Sequence, residues 1–341
     1  MEKKVLSHIR HSIEEKRSNL TGWLETTPQP EKELCLDCEV DQPVFEHIAV
    51  LNQTLQKVEN DTLGICKVCH GQVEASVLEI DYTAEVCLDC LSELERRHLE
   101  AELEFSSEIQ RALLPQHAPV FPGLDIGAFS RPAQIIGGDY FDFFRFKSGS
   151  YGLVIADVAG KGFSASLLMS SLQTALHTLA ADNDSVSEVV QRINHYFLHN
   201  VNLTTFVTLF IGQYDSERRL LTYANAGHNP PLLFHPGLIP GLNWLAPTGA
   251  AIGVMEEYVL RSEQVALQQD DILLLYTDGV TELANPANEF FGPQRLADLV
   301  AANTSLSAQE LVSALRKGLG KFITGSSPAD DLTIVAAKAL A

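Results

Sequence analysis

Hydrophobic and polar positions divide the chain into two textures. Up to about residue 116, apolar residues recur at helical spacing. They do so over residues 3–20, over "VFEHIAVLNQTLQKVEN" (44–60) and over "LSELERRHLEAELEFSSEIQRALLPQ" (91–116). The last stretch has no Gly or Pro until Pro115 and is rich in Glu, Leu, Arg and Ala, which predicts one long helix stopped by that proline. From about residue 118 short apolar runs take over: "YGLVIADV", "TTFVTLFIGQY", "LLTYANAG", "PPLLF", "DILLLYTDG" and "DLTIVAAK" read as strands. Two pairs are only a turn apart, 139–146 and 151–157 across "KSGS", and 205–214 and 219–225 across "SERR". Connections that short predict antiparallel hairpins. Helical patterns return at 163–180, 184–200, 293–302 and 307–322. Strand clusters alternating with helix pairs predict an α+β fold, antiparallel sheets covered by helices.

These textures give four segments: an N-terminal helical region (1–61), a four-cysteine module (62–91), a linker helix (92–116) and a larger α+β domain (117–341). Composition is that of an ordinary soluble domain, 45% hydrophobic and 20% charged. No apolar run approaches the roughly 18 residues of a membrane span. The charged start "MEKKVLSHIRHSIEEKRSNL" lacks an apolar signal core, so no membrane association and a cytoplasmic location are expected. A net charge of −20 makes nucleic acid a poor partner, because phosphate backbones are bound by clustered Lys and Arg. In the linker helix Leu91, Leu94, Leu99, Leu103, Ile109 and Leu113 follow helical spacing without a clean heptad. That pattern fits a homodimer through this helix or packing on its own domain.

All six cysteines lie before residue 91, in three Cys-x-x-Cys pairs. Where thiols stay reduced, such pairs point to metal or redox chemistry rather than disulfides. Cys66, Cys69, Cys87 and Cys90 have the spacing of a site in which four thiolates hold one Zn²⁺. Cys35 and Cys38 are then expected as free thiols. Residues 50–91 are similar to the DksA/TraR zinc finger, which in its own family sits beside a helical hairpin that enters RNA polymerase. The acidic tip pattern of that hairpin is missing here.

Four Asp-bearing stretches stand out in the second half: "GGDYFD" (Asp139, Asp142), "VIADVAGKG" (Asp157), "LLLYTDGVTE" (Asp278) and "SPADDLTIV" (Asp330, Asp331). Each alone reads as a turn or cap residue. As a set beside apolar strands, with few Lys or Arg near them, they call for a cation, since an ionised carboxylate next to apolar strands is costly unless paired. Carboxylate-only ligation suits Mg²⁺ or Mn²⁺, and two such ions about 4 Å apart polarise a bridging water and clamp a phosphoryl group. A Walker loop is excluded: Ile155 stands at the first glycine position before "GKG", and Gly162 replaces the hydroxyl. A GGDEF-type cyclase would want an acidic residue where Tyr140 stands. His228, in "NAGHNPP", has no nucleophile motif to form a triad.

The order GGDxxD, DVxGKGxxA, AGHNPP, TDGxxE, DDxT resembles the metal-dependent protein phosphatases, and more narrowly the SpoIIE-like, protein phosphatase 2C-like branch. The resemblance covers about residues 108–338, including the lead-in "EIQRALLP". It implies a β-sandwich flanked by helix pairs with two Mn²⁺ or Mg²⁺ at one end. Carried onto this chain, Asp157 would bridge both ions and the Val158 carbonyl would add a ligand. Asp139 would serve the second ion, Asp278 and Asp330 the first. Asp142, Asp331, Gly138, Gly160 and His228 would support the site, with Gly137 and Gly162 also easing close backbone approach. Arg131 is the nearest candidate for a phosphate-holding arginine, although its spacing does not match. The implied function is a serine/threonine phosphatase acting on a phosphoprotein such as a STAS-type anti-sigma factor antagonist, with the zinc module as input region. The alternative is an adaptor whose finger docks on a large partner such as RNA polymerase, with phosphatase activity secondary.

Overall fold

A computed structural model describes residues 3–28, 41–160, 162–200, 205–237, 241–256, 258–324 and 328–341. The chain divides into two compact units, Met1–Glu102 and Leu103–Ala341. In the first, α1 (Lys3–Thr26) packs on α2 (Gln42–Glu59). Helix α1 outruns its predicted end because "TGWLET" holds only one glycine and no proline. Ile9, Ile13, Leu51 and Leu55 join Leu63, Cys66, Val73, Leu78 and Cys87 in one core. The cysteine module, with the short α3 (Ala75–Ile80) and a 3₁₀ turn at Leu88–Cys90, is therefore continuous with the two helices. Cys35 and Cys38 lie outside the described residues.

Helix α4 (Glu93–Leu113) starts with a reciprocal cap: the Ser92 amide donates to Glu95 and the Glu95 amide donates to the Ser92 hydroxyl. It begins in the first unit and ends in the second. Its second half makes backbone-directed bonds there, described below, so the linker segment is not a free-standing spacer.

The second unit runs β1 (Leu124–Arg131), β2 (Asp139–Arg145), β3 (Tyr151–Val158), α5 (Phe163–Asp182), α6 (Val186–Asn200), β4 (Val207–Asp215), β5 (Leu220–Ala226), β6 (Leu232–Phe234), β7 (Leu242–Trp244), β8 (Glu263–Ala266), β9 (Ile272–Tyr276), α7 (Asp278–Thr281), α8 (Gly292–Ala301), α9 (Ala308–Ile323) and β10 (Leu332–Ala339). Two five-stranded sheets result, ordered β1-β10-β9-β6-β7 and β2-β3-β4-β5-β8, with antiparallel ladders. Three apolar layers hold them. Leu153, Ile155 and Phe210 meet Leu273, Leu275 and Val335 between the sheets. Val154, Ala156 and Val158 face Met169, Leu172 and Leu176 of α5. Leu274 and Ile334 face Leu296, Leu311 and Leu315 of α8 and α9. Strand β3 is buried on both faces, which is why it reads as an unbroken apolar run. The expected sandwich between helix pairs is what forms.

Candidate metal and phosphoryl site

Register brings the motifs together. Asp139 opens β2 and lies directly opposite Asp157, near the end of β3. On the other sheet, Thr277 follows β9, and its amide donates to the carbonyl of Thr333 in β10 at 3.1 Å. The two sheets meet at this end through side chains. The Thr277 hydroxyl donates to Asp139 Oδ2 at 2.8 Å and accepts from the Thr333 amide at 3.1 Å. Asp331 Oδ2 accepts from the Gly138 amide at 2.7 Å, and its Oδ1 from the Ala133 amide at 2.7 Å. All four acidic stretches therefore converge on one end of the sandwich.

The glycines are there for space. A Cβ on Gly137 would lie 2.1 Å from Asp331 Oδ2, and one on Gly279 2.0 Å from the Asp331 carbonyl oxygen. A Cβ on Gly138 would lie 2.8 Å from the Val158 carbonyl oxygen, so that carbonyl faces the turn before Asp139. Gly160 and Gly162, at φ +108° and +72°, turn the chain from β3 into α5.

Burial, then the charge of Asp157, holds the Asp139 carboxyl well above the usual carboxylate range, with Asp331 adding to the effect. Bonds from Thr333 and Thr277 pull the other way. Carboxylates facing each other across a ladder repel, and a bound cation relieves this. The donors are all oxygen, which fits a hard divalent ion. Among the described residues, however, only the four cysteines place three or more ligand atoms mutually within 4.8 Å. The carboxylates are not gathered that tightly.

Other expected site residues fall elsewhere. Asp142 faces away from Asp139: its Oδ2 accepts from the Tyr140 hydroxyl at 2.8 Å and meets His177 Nε2 of α5 at 2.7 Å. It ties β2 to the helix layer and does not join the converging carboxylates. His228 is buried, with Nδ1 2.9 Å from the Thr208 hydroxyl, and Thr208 sits opposite Asp157. Burial pushes this imidazole down to about 4, and the His228 amide donates to Asn225 Oδ1 at 2.8 Å. Arg131 is exposed at the end of β1, where it lines a cavity with Arg316 and Lys317. Sequence reasoning missed Thr277 and Thr333, although TDGxxE and DDxT both contain them. It also missed Gln110 of α4, whose side chain accepts from the Gly137 amide at 3.1 Å and donates to the Gly137 carbonyl at 2.6 Å.

The first unit carries a separate cluster. Cys66, Cys69, Cys87 and Cys90 place their sulfurs within 4.8 Å of one another. Amides of Val68 and Cys87 donate to Cys66 Sγ, each at 3.4 Å. Hydrogen bonding from the backbone of Cys69, then of Cys87, lowers the Cys66 thiol to about 6. Amide donors on a thiolate and four convergent sulfurs suit a tetrahedral soft-ligand ion.

Comparison with known proteins agrees with this geometry. The family described as Stage II sporulation protein E (SpoIIE) matches residues 147–340. The chain is 31% identical over 240 residues to phosphoserine phosphatase RsbU of Bacillus subtilis, covering 70% of each protein. It is 30% identical over 262 residues to Protein IcfG of Synechocystis, covering 69% of this chain but only 41% of that protein. The SiaA-PP2C domain of Pseudomonas aeruginosa shares the fold at a TM-score of 0.62 and 22% identity, over 72% of this chain and 98% of that one. Two antiparallel sheets between helix pairs, with acidic turns at one end, are the fold of the PP2C-type phosphatases. The chain belongs to the SpoIIE family of these phosphatases.

Proposed function

We propose that the chain is a Mn²⁺- or Mg²⁺-dependent phosphatase that dephosphorylates a serine or threonine of a regulatory phosphoprotein, such as a STAS-type anti-sigma factor antagonist. The observation that carries the metal dependence is buried Asp139 facing Asp157, with the Val158 carbonyl turned toward the same loop. Asp139, Asp157, Asp278, Asp330 and the Val158 carbonyl would hold two ions, with Asp157 shared. The ions would supply an activated water and charge neutralisation at the phosphoryl group. The protein's own part is to fix the ligands: Thr277 orients Asp139, and Asp331 holds the Gly138 turn. The relatives named as phosphoserine phosphatases, RsbU and RsbP, support the substrate class. The four-cysteine cluster is read as a structural Zn²⁺ site in a regulatory module similar to the DksA/TraR finger, and α4 as a route to a homodimer.

The test is hydrolysis of p-nitrophenyl phosphate and of phosphoserine peptides with and without Mn²⁺. Chelator should abolish activity. Asp157→Asn should lower turnover by several orders of magnitude, because one lost bridging ligand disturbs both ions. Near-wild-type turnover in that variant would overturn the assignment.

A further inference from the structure

Beside the carboxylate end lies a cavity of about 440 Å³ lined by Phe129, Arg131, Leu283, Arg316, Lys317 and neighbours. Its walls start from the acidic stretches. Arg131 pairs in register with Leu332, the residue after Asp331, and Leu283 follows α7, which begins at Asp278. The cavity is nevertheless cationic. Among the described residues lining it are two arginines and a lysine and no carboxylate. The whole chain has 44 Asp and Glu against 24 Lys and Arg, so such a lining runs against the chain's average.

The geometry comes from one strand face against one helix face. Strand residues two apart share a face, which aligns Asp125, Gly127, Phe129 and Arg131. Asp125 accepts from the Ala308 amide at 2.7 Å, and a Cβ on Gly127 would meet Ala308, so this face runs along α9. Ser313, Arg316, Lys317 and Gly320 share one face of α9. The Arg316 guanidinium stacks 3.8 Å above the centre of the Phe129 ring. Stacking holds the fork in place, so less freedom is lost when it grips a carboxylate. A Cβ on Gly320 would touch nothing within 4 Å, which leaves room for a ligand.

We propose that this cavity docks acidic side chains flanking the phosphoserine of the protein substrate, a reading that rests on the phosphatase assignment above. A chain of net charge −20 repels an acidic partner at long range. A local cationic foothold beside the metal end sets register and selects the partner.

The experiment compares wild type with the Arg316→Gln/Lys317→Gln double variant. The substrates are a phosphoserine peptide with acidic flanks, its neutral-flank counterpart, and p-nitrophenyl phosphate, each with Mn²⁺. The variant should raise KM for the acidic-flank peptide by about tenfold with kcat little changed, and leave the neutral peptide and the aryl phosphate nearly as before. Added salt should weaken the acidic peptide selectively in wild type only. A fluorescent, non-hydrolysable phosphonate version of each peptide gives affinity without turnover. If wild type hydrolyses nothing but the acidic phosphonate peptide still binds through Arg316 and Lys317, the activity assignment falls and the pocket stands. If wild type turns over both peptides without preference, or the variant loses both equally, the pocket is refuted. Inorganic phosphate inhibition is the last arm. A matching loss of phosphate affinity in the variant would make this a phosphate site and overturn the flank reading.

Discussion

Replacing Asp331 with alanine strands the amides of Ala133 and Gly138, each of which it accepts at 2.7 Å. A fully buried donor left without a partner costs about 1–3 kcal/mol, and these part-buried amides lose less because water reaches them. We expect Asp331→Ala to lower the melting temperature and weaken Mn²⁺ binding, whereas Asp331→Asn, which keeps one carbonyl acceptor, should be milder. Equal stability and metal affinity in the alanine variant would contradict the role given to Asp331. Asp142, expected only to support the site, shows how strand geometry parts the two carboxylates of the motif. GGDxxD places its two carboxylates three apart, and in a strand that spacing sends them to opposite faces. The motif and a strand from residue 139 were both legible; what was not is that the other face of β2 meets α5, where Asp142 finds His177. Asp142 instead raises the proton affinity of His177, chiefly through their hydrogen bond. A raised imidazole stabilises fully below its ordinary value of 6.5, and that contribution is lost as pH rises through the raised value. His177 is about half exposed, so the effect is modest. The melting-temperature gap between wild type and Asp142→Asn should therefore be wider below pH 6.5 than above it. A gap that widens as pH rises would refute the pair.

At the scale of elements, long helices and doubly buried strands were readable because their apolar periodicity is dictated by packing. The predicted helix 163–180 forms as Phe163–Asp182, and "DLTIVAAK" forms β10. Strands β7 and β8 were not readable. They are three and four residues long, largely solvent-facing, and "EQVA" carries no alternation. They exist because β6 and β5 offer them ladder partners. Chemistry written in fixed spacing was also legible, and the cysteine cluster forms as spaced. One Zn²⁺ per chain is expected by elemental analysis, and Cys66→Ser should lose it. Cys66 is also buried in the core with Ile13 and Leu51, so metal loss should loosen α1 and α2 as well. Mn²⁺-dependent turnover should survive at least partly. Unchanged zinc in that variant would remove the site.

For the molecule as a whole, the question is whether the first unit influences the second. Helix α4 is the covalent route, 21 residues without Gly or Pro. Its C-terminal half grips the loop that leads to the carboxylate end. Ser107 donates to the Ile135 carbonyl at 3.1 Å, and the Gln110 amide closes both backbone groups of Gly137. Gly137 and Gly138 in turn bear on Asp331 and the Val158 carbonyl. A turn or shift of α4 therefore displaces the Gly137–Asp139 segment unless the Gln110 bonds break. A stiff helix carries such a shift, and a flexible one absorbs it. A Gly-Gly insertion after Glu104 softens the helix and changes its phase while leaving Ser107 and Gln110 on the catalytic side. The inserted protein should still hydrolyse p-nitrophenyl phosphate, but its activity on a protein substrate should no longer respond to removal of residues 1–90. Gln110→Ala removes the grip on Gly137 while leaving the helix backbone continuous, and should likewise blunt the response to removal of residues 1–90. If the insertion variant and wild type respond identically to loss of residues 1–90, α4 is a tether and the carboxylate end is set by the second unit alone.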